Sequence, residues 1–390
     1  MKRVVFLFNH DAPHQVAHLA GPAAAFAAAY PAAKTIIAYA TPRIRAAIEA
    51  LVPSSASPLM EWHELTLPSW AAVASKLDKV LPASRLLRLR ENLPLFADAD
   101  VLVSTERTCL HLKKYLPPDA PLRFVRVPHG AGDRNVTYHP DFRRFDLVLA
   151  SGQKAFDELA KAGVSPHRIR IVGYPKFDAI DVEAKRTFFD NDRPVFVYNP
   201  HFDPHLSSWY KAGPALLRWF AGPQGQQFNL IFAPHVMLFR KTLHISPEYR
   251  VARRRPDVPV EALSASNILI DTDGARLFDM SYMLAADSYI GDFSSQIYEF
   301  LLRPRPAFFL DLRSKAADDD EARHVFRQAG PVLNNVGDLT AALPGWREIG
   351  ARYYAAQQAL FERTFSRTGQ SANHRAAAAI AELLDDGASA

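Results

Sequence analysis

A chain of 390 residues with 48% hydrophobic and 22% charged side chains is longer than one core usually serves, so two globular domains are expected. No apolar run reaches the ~18 residues of a membrane span, and the composition reads as soluble and globular rather than disordered. One cysteine rules out an internal disulfide, and the formal charge of +5 favours anionic partners.

The chain opens on MKRVVFLFNH, too short for a secretory h-region and better read as a first strand, which places the protein in the cytoplasm. Further apolar runs, Thr35-Ile36-Ile37-Ala38-Tyr39, Val101-Leu102-Val103, Phe124-Val125-Arg126-Val127, Leu147-Val148-Leu149 and Ile169-Arg170-Ile171-Val172, alternate with alanine-rich helical stretches. That alternation predicts a parallel sheet covered on both faces. Lys76 to Phe96 interleaves Lys76, Lys79, Arg85, Arg88 and Arg90 with leucines, a pattern open to a surface or lid helix or to peripheral contact with an anionic membrane at its inner face. Cys109, beside Leu110 and Leu112, reads as a small buried side chain.

The polar break Phe189-Asp190-Asn191-Asp192-Arg193-Pro194 marks a domain boundary. A second series follows: Val195-Phe196-Val197-Tyr198, Asn229-Leu230-Ile231-Phe232, Ile268-Leu269-Ile270, Ser288-Tyr289-Ile290 and Ala307-Phe308-Phe309-Leu310. The expected fold class is α/β, with two doubly wound Rossmann-like domains over 1–188 and 189–345. A helical tail over 346–390 is long enough to return to the first domain. Such a pair predicts a ligand cleft lined by the carboxyl ends of both sheets.

Polar residues gather at those strand ends. His129-Gly130 and then Gly132-Asp133-Arg134 follow the strand at Val127, Pro234-His235 follows Phe232, Asn199-Pro200-His201 follows Tyr198, and Asn9-His10-Asp11 follows Phe8. A histidine beside Gly or Pro at a strand's carboxyl end suits catalysis or anion binding, and His129 and His235 are the chosen candidates. The segment Gly291-Asp292-Phe293-Ser294-Ser295 precedes Ile297, Tyr298, Phe300 and Leu301 at helical spacing. Ser294 or Ser295 is therefore expected to cap a helix whose N-terminus would hold phosphate.

Gly173-Tyr174-Pro175-Lys176-Phe177-Asp178 resembles the G-Y-P-R-x-D turn of the CDP-glycerol glycerophosphotransferase family, the teichoic acid polymerases and primases. His129-Gly130, Pro234-His235, Gly291-Asp292-Phe293-Ser294-Ser295 and Leu301-Arg303-Pro304-Arg305-Pro306 stand in the family's order over roughly residues 125–312. The resemblance implies a GT-B architecture with the acceptor on the first domain and a nucleotide-diphosphate donor such as CDP-glycerol on the second. It implies transfer of glycerol phosphate to a hydroxyl acceptor, lipid-linked or polymeric, in cell-envelope synthesis. His129 would be the general base and His235 a diphosphate ligand. Substrate contacts would come from Gly130, Arg134, Gly173, Lys176, Asn199, Asp292, Ser294 and Ser295. Departures fall at Gly130-Ala131-Gly132, where the family has H-G-T-P, and at Asn199-Pro200-His201, where it has A-P-T.

Other chemistries fail on sequence. There is no G-x-x-x-x-G-K-[ST] loop, no G-x-S-x-G elbow and no third glycine after Gly130-Ala131-Gly132. Pro204 breaks the helix that would bring His201 and His205 onto one zinc ion, and Arg253-Arg254-Arg255 lacks the interleaved aromatics of a nucleic-acid site, so no nucleic acid is expected. No metal site is assigned, and Mg is the one cofactor left open. A nucleotide-sugar glycosyltransferase or 2-epimerase of the same fold remains an alternative, although none of Asp11, Asp133 and Glu299 is well placed for the paired acid and base carboxylates that epimerisation needs. A non-catalytic nucleotide-binding module is the third reading.

Overall fold

The computed structural model describes residues 1–10, 13–68, 83–130, 139–184, 186–313 and 321–386. It divides into two compact units, the first comprising Met1–Ala131, Asn135–Asp181 and Glu362–Ala390 and the second Val182–Phe361. Asp11, Asp133, Arg134 and the Lys76–Lys79 end of the basic tract lie outside the described residues.

Unit 1 holds a parallel sheet of β1 (Arg3–Phe8), β2 (Lys34–Tyr39), β3 (Met60–Glu64), β4 (Val101–Ser104), β5 (Arg123–Arg126), β6 (Leu147–Ala150) and β7 (Ile169–Ile171). The spatial order is β3-β2-β1-β4-β5-β6-β7. Side chains alternate across a strand, so β1 feeds two cores. Val4, Phe6 and Phe8 pack with Phe26 of helix Ala20–Ala29 and with Ala376 and Ile380 of helix Ala372–Asp386. Val5 and Leu7 pack on the other face with Leu89, Phe96, Leu110 and Leu112. Burial on both faces explains why the strand reads as an unbroken apolar run. The chain winds outward from β1 to β3 and then returns to β4, so the topological switch lies between β1 and β4.

The described part of the basic tract, helix Ala83–Glu91, turns two of its cations inward: Arg88 is buried, and Arg85 pairs with Glu106 at 2.7 Å.

The Gly173–Asp178 turn is a seam with the C-terminal segment. Tyr174 packs among His18, Phe177 and Phe365. Asp178 accepts the Asn373 N–H at 2.7 Å, and Arg375 donates to the Ser366 carbonyl at 2.7 Å. Gly173 has φ +90°, and a Cβ there would stand 2.4 Å from an Arg375 nitrogen and 2.7 Å from the Ser366 carbonyl oxygen. Gly173→Ala is therefore expected to destabilise the protein by about 1–3 kcal/mol, read as a lowered urea midpoint with an unchanged m-value. A midpoint equal to the parent's would show that the seam tolerates a side chain.

Unit 2 holds β8 (Val195–Asn199), β9 (Asn229–Phe232), the antiparallel hairpin β10 (Leu243–Ser246) and β11 (Val251–Arg254), β12 (Ile268–Ile270), β13 (Ser288–Gly291), β14 (Ala307–Leu310) and β15 (Val332–Leu333). The parallel sheet runs β12-β9-β8-β13-β14-β15, with its switch between β8 and β13. Phe196, Tyr198, Trp209, Phe220, Phe232, Ile290 and Phe308 fill one face. Arg305 is half-buried against the Phe300 ring and donates to the carbonyls of Ala286, Met283 and Phe300. This closes the carboxyl end of helix Ser281–Ala285, and burial lowers the guanidinium pKa to about 9. Among the described residues no helix is long and apolar enough to cross a membrane.

Candidate functional site

In unit 2 the polar groups converge at the carboxyl ends of β8, β9, β13 and β14, around the switch where ligands of open α/β sheets bind. The central contact is a carboxylate. Asp292, one residue past β13, is fully buried and accepts the His201 N–H at 2.7 Å and the Ser208 N–H at 3.0 Å. It thereby pins both ends of the loop that follows β8. Burial is the main cause that lifts its pKa to about 7, against the lowering effect of those hydrogen bonds. Asp292 is a strut for this loop.

The loop presents an imidazole. His201 Nδ1 accepts the Asp203 N–H at 2.9 Å, so in the neutral ring the proton sits on Nε2. His235 repeats the arrangement after β9, with Nδ1 accepting the Met237 N–H at 3.2 Å. Its own N–H donates to the Pro200 carbonyl at 2.9 Å, which ties the two loops together. The two rings lie 5.2 Å apart, with Phe202 against both. His201 and His235 thus form a pair of Nε2–H donors at one sheet edge. Of this pair sequence reasoning chose only His235; the signal for His201 was that it stands three residues beyond Tyr198 after a proline, as His235 does beyond Tyr198's register partner Phe232.

Asn199 ends β8 with both halves of its amide used: Nδ2 donates to the Ala233 carbonyl at 2.6 Å, and Oδ1 accepts from Tyr289 Oη at 3.4 Å. It braces β8 against its neighbours. Gly291 is required by the same brace, because a Cβ there would lie 2.3 Å from the Tyr289 hydroxyl. Ser294 is buried, and its Oγ accepts the Gln296 N–H at 3.4 Å. Ser295 occupies the N-cap position with helical backbone angles and no side-chain cap, and the helix it starts, Gln296–Phe300, has only five residues. The cap falls one residue earlier in function than in position, and it is weak.

Past β14, Arg313 makes a two-point contact with Asp311, 2.9 Å from Nε to Oδ1 and 3.3 Å from Nη2 to Oδ2, and lies over the Phe293 ring at 5.3 Å. This buried pair was missed, although Asp311-Leu312-Arg313 follows an apolar strand as the histidines do. His205 stacks on Tyr249 at 3.8 Å, and burial, with Arg313 next, lowers its pKa. Among the described residues no three His, Cys, Asp or Glu side chains converge as metal ligands.

In unit 1 His129 lies beyond β5, and its Nδ1–H donates to the Thr105 carbonyl at 2.9 Å. The neutral ring therefore carries its lone pair on Nε2, the opposite tautomer from His201 and His235. The same carbonyl accepts from Arg126 Nη1 at 2.6 Å, and Arg126 is buried over the Phe142 ring. Burial lowers the Arg126 pKa to about 10. A Cβ on Gly130 would meet no atom of the described residues within 4 Å. Gly173 and buried Lys176 lie on the seam already described, with the Gly173 turn filled by the C-terminal segment. The Cys109 thiol is buried and pushed up to about 12 by that burial, which leaves it inert as a nucleophile.

No protein-family model matches the chain, and no curated protein matches it. Solved structures do. The wall teichoic acid polymerase TagF superposes with a TM-score of 0.58 at 16% identity, covering 99% of this chain and 89% of that one. A putative UDP-N-acetylglucosamine 2-epimerase from Listeria monocytogenes gives 0.59 at 11% identity over 100% and 96%. The UDP-GlcNAc 2-epimerase of Neisseria meningitidis, bound to UDP-GlcNAc, gives 0.56 at 10% over 99% and 100%. The chain has the GT-B class of fold.

A raised carboxylate pKa makes stability depend on pH in a defined direction. Between about 3.9, the value in an unfolded chain, and about 7 the folded state holds a proton on Asp292 that the unfolded state has released. Stability from this group is thus largest below pH ~4 and falls as pH rises to about 7. Asp292→Asn removes that slope. It also turns an amide NH₂ toward a backbone donor, costing about 1–3 kcal/mol. Urea denaturation of both proteins from pH 4 to 8 should show the gap narrowing as pH rises; a constant gap would mean that Asp292 stays ionised throughout.

Proposed function

We propose that the protein is a transferase that moves glycerol phosphate, or a related group, from a CDP-linked donor to an acceptor hydroxyl. The observation that carries the reading is the paired Nε2–H donors of His201 and His235 at the switch point of unit 2. Neutral donors in a fixed orientation suit the oxygens of a diphosphate, whose charge they stabilise without an ion pair. TagF, one of the structural neighbours, has been soaked with CDPG, and the ordered motifs of this chain resemble those of the CDP-glycerol glycerophosphotransferase family.

In the proposed reaction the acceptor oxygen attacks the phosphorus that bears glycerol, the bond from that phosphorus to the bridging oxygen breaks, and CMP leaves. His129 Nε2, kept as the lone-pair nitrogen by the Nδ1–H donation to Thr105, takes the hydroxyl proton. His201, His235, Ser294 and Ser295 take the donor's phosphate oxygens, and Asp292 holds their loops in place. Mg would add charge neutralisation on the same oxygens.

A second reading, 2-epimerisation of a UDP-sugar, draws on the equal likeness to the two epimerases. Thermal-shift screening with CDP-glycerol, CMP, UDP-GlcNAc and UDP separates the two, since a ligand raises apparent stability by mass action. Cytidine-selective stabilisation is expected; uridine selectivity would move the assignment to the epimerase reading, and no nucleotide shift would remove both. With the donor known, His235→Ala should weaken its binding by roughly 10–100-fold, the loss of one hydrogen bond to a charged group. His129→Gln should leave donor binding intact and lower kcat by about 10²–10⁴-fold. Turnover unchanged in His129→Gln would withdraw that residue as the base.

A further inference from the structure

The hairpin β10–β11 has its polarity reversed. In β10 the alternation turns His244 and Ser246 inward and leaves Leu243 and Ile245 outward, 53% and 63% exposed. The inward pair is fully engaged: His244 Nε2 donates to the carbonyls of Leu238 and Lys241 at 3.0 and 3.1 Å, and Ser246 Oγ donates to Asp203 Oδ2 at 2.9 Å. Cross-strand register sets Ala252 beside Ile245 and Arg254 beside Leu243, and both partners are exposed. A water-facing hairpin normally carries the opposite pattern, with apolar residues toward the protein.

Charge is concentrated on the same element. From Arg240 to Arg255 there are six cations, Arg240, Lys241, Arg250, Arg253, Arg254 and Arg255, against one anion, Glu248. The segment's formal charge of +5 equals that of the whole 390-residue chain. Arg255 pairs with Asp257 at 3.6 Å, whereas Lys241, Arg250, Arg253 and Arg254 make no ion pair among the described residues. Arg250 takes φ +52° at the turn, a conformation that glycine or asparagine holds at less cost, so the tip keeps a cation against the backbone preference.

We propose that the outer face of this hairpin docks on an anionic lipid bilayer, with Leu243 and Ile245 entering the interface and the arginines meeting lipid phosphates. The combination of apolar side chains and unpaired cations decides the occupant. A purely polyanionic partner has no use for exposed leucine and isoleucine, and a symmetric second copy would bring the two arginine sets against each other, whereas an anionic bilayer matches both features. The hairpin is fastened through Ser246 and Asp203 to the loop that carries His201, so docking would set the sheet edge near the lipid surface. This inference does not depend on the identity of the nucleotide.

Flotation with vesicles of phosphatidylcholine alone, and of phosphatidylcholine mixed with phosphatidylglycerol, tests it on the full chain. Binding is expected to the mixed vesicles only and to weaken with salt. Leu243→Ser/Ile245→Ser should reduce partitioning roughly tenfold or more, and Arg254→Gln, on the same face, by roughly fivefold, while thermal unfolding stays at the parent's midpoint. The proposal is overturned by equal binding to neutral vesicles or by none to either. It is overturned too if the serine pair binds as tightly as the parent, which would indicate a polyanion site. A concentration-dependent dimer that the serine pair abolishes, without vesicle binding, would assign the face to a second copy.

Discussion

The buried carboxylate of Asp292 is the constraint on which the carboxyl edge of the sheet in unit 2 depends. Two backbone donors, from His201 and Ser208, converge on it at 2.7 and 3.0 Å. An amide offers one acceptor and an aspartate offers two, so the geometry selects the acid despite the cost of burying it. With the loop clamped at both ends, Ser208 Oγ bonds Tyr198 Oη at 2.8 Å and Trp209 fills the core below, its Nε1 donating to the Pro256 carbonyl at 3.1 Å. Gly213 leaves room for that indole, since a Cβ would lie 2.1 Å from it. The polar edge and the aromatic core therefore hold one another in register.

Backbone groups also decide what each histidine can do. Where Nδ1 accepts an N–H from two residues ahead, as in His201 and His235, the ring shows a donor at Nε2. Where Nδ1 faces a carbonyl, as in His129, Nε2 shows a lone pair. No charged partner is required in either case, and a preorganised tautomer costs no reorganisation when a ligand arrives. One residue type thus supplies both hydrogen-bond donation and proton acceptance, with the choice fixed by main-chain direction.

The fold was legible where burial is two-sided. β1 is apolar at every buried position, β8 and β13 interrupt their apolar runs with buried polar side chains only at Asn199 and Ser288, and the alternating series gives the doubly wound sheets directly. β3, Met60-Glu61-Trp62-His63-Glu64, lies at the sheet's edge and reads as polar, while β10 and β11 carry the wrong face outward and suggest no strand at all. Motifs were legible more readily than roles. Gly173-Tyr174-Pro175 stands out in the sequence, yet its packing partners Ser366 and Arg375 lie almost 200 residues away, and local spacing does not encode that seam. Asn199 was found as a strand end, but both halves of its amide are absorbed by Ala233 and Tyr289. Ser294 and Ser295 promised a helix N-terminus; a five-residue helix supplies little dipole, so their contribution reduces to hydroxyls and local N–H groups.

The two anion contacts proposed for this molecule are physically distinct. At the sheet edge of unit 2, Arg313 is already matched by Asp311, and the proposed attraction for phosphate would rest on neutral directional donors whose strength comes from orientation and partial burial. On the hairpin, charge is uncompensated, solvent-facing and mounted on long side chains, so attraction is diffuse and screened within about 8–10 Å at ordinary ionic strength. Directional donors discriminate between ligands by shape, while a diffuse field gathers any anionic surface regardless of detail. Under the proposed function, separating the two would let the chain carry strong basic character without drawing polyanions to the sheet edge of unit 2.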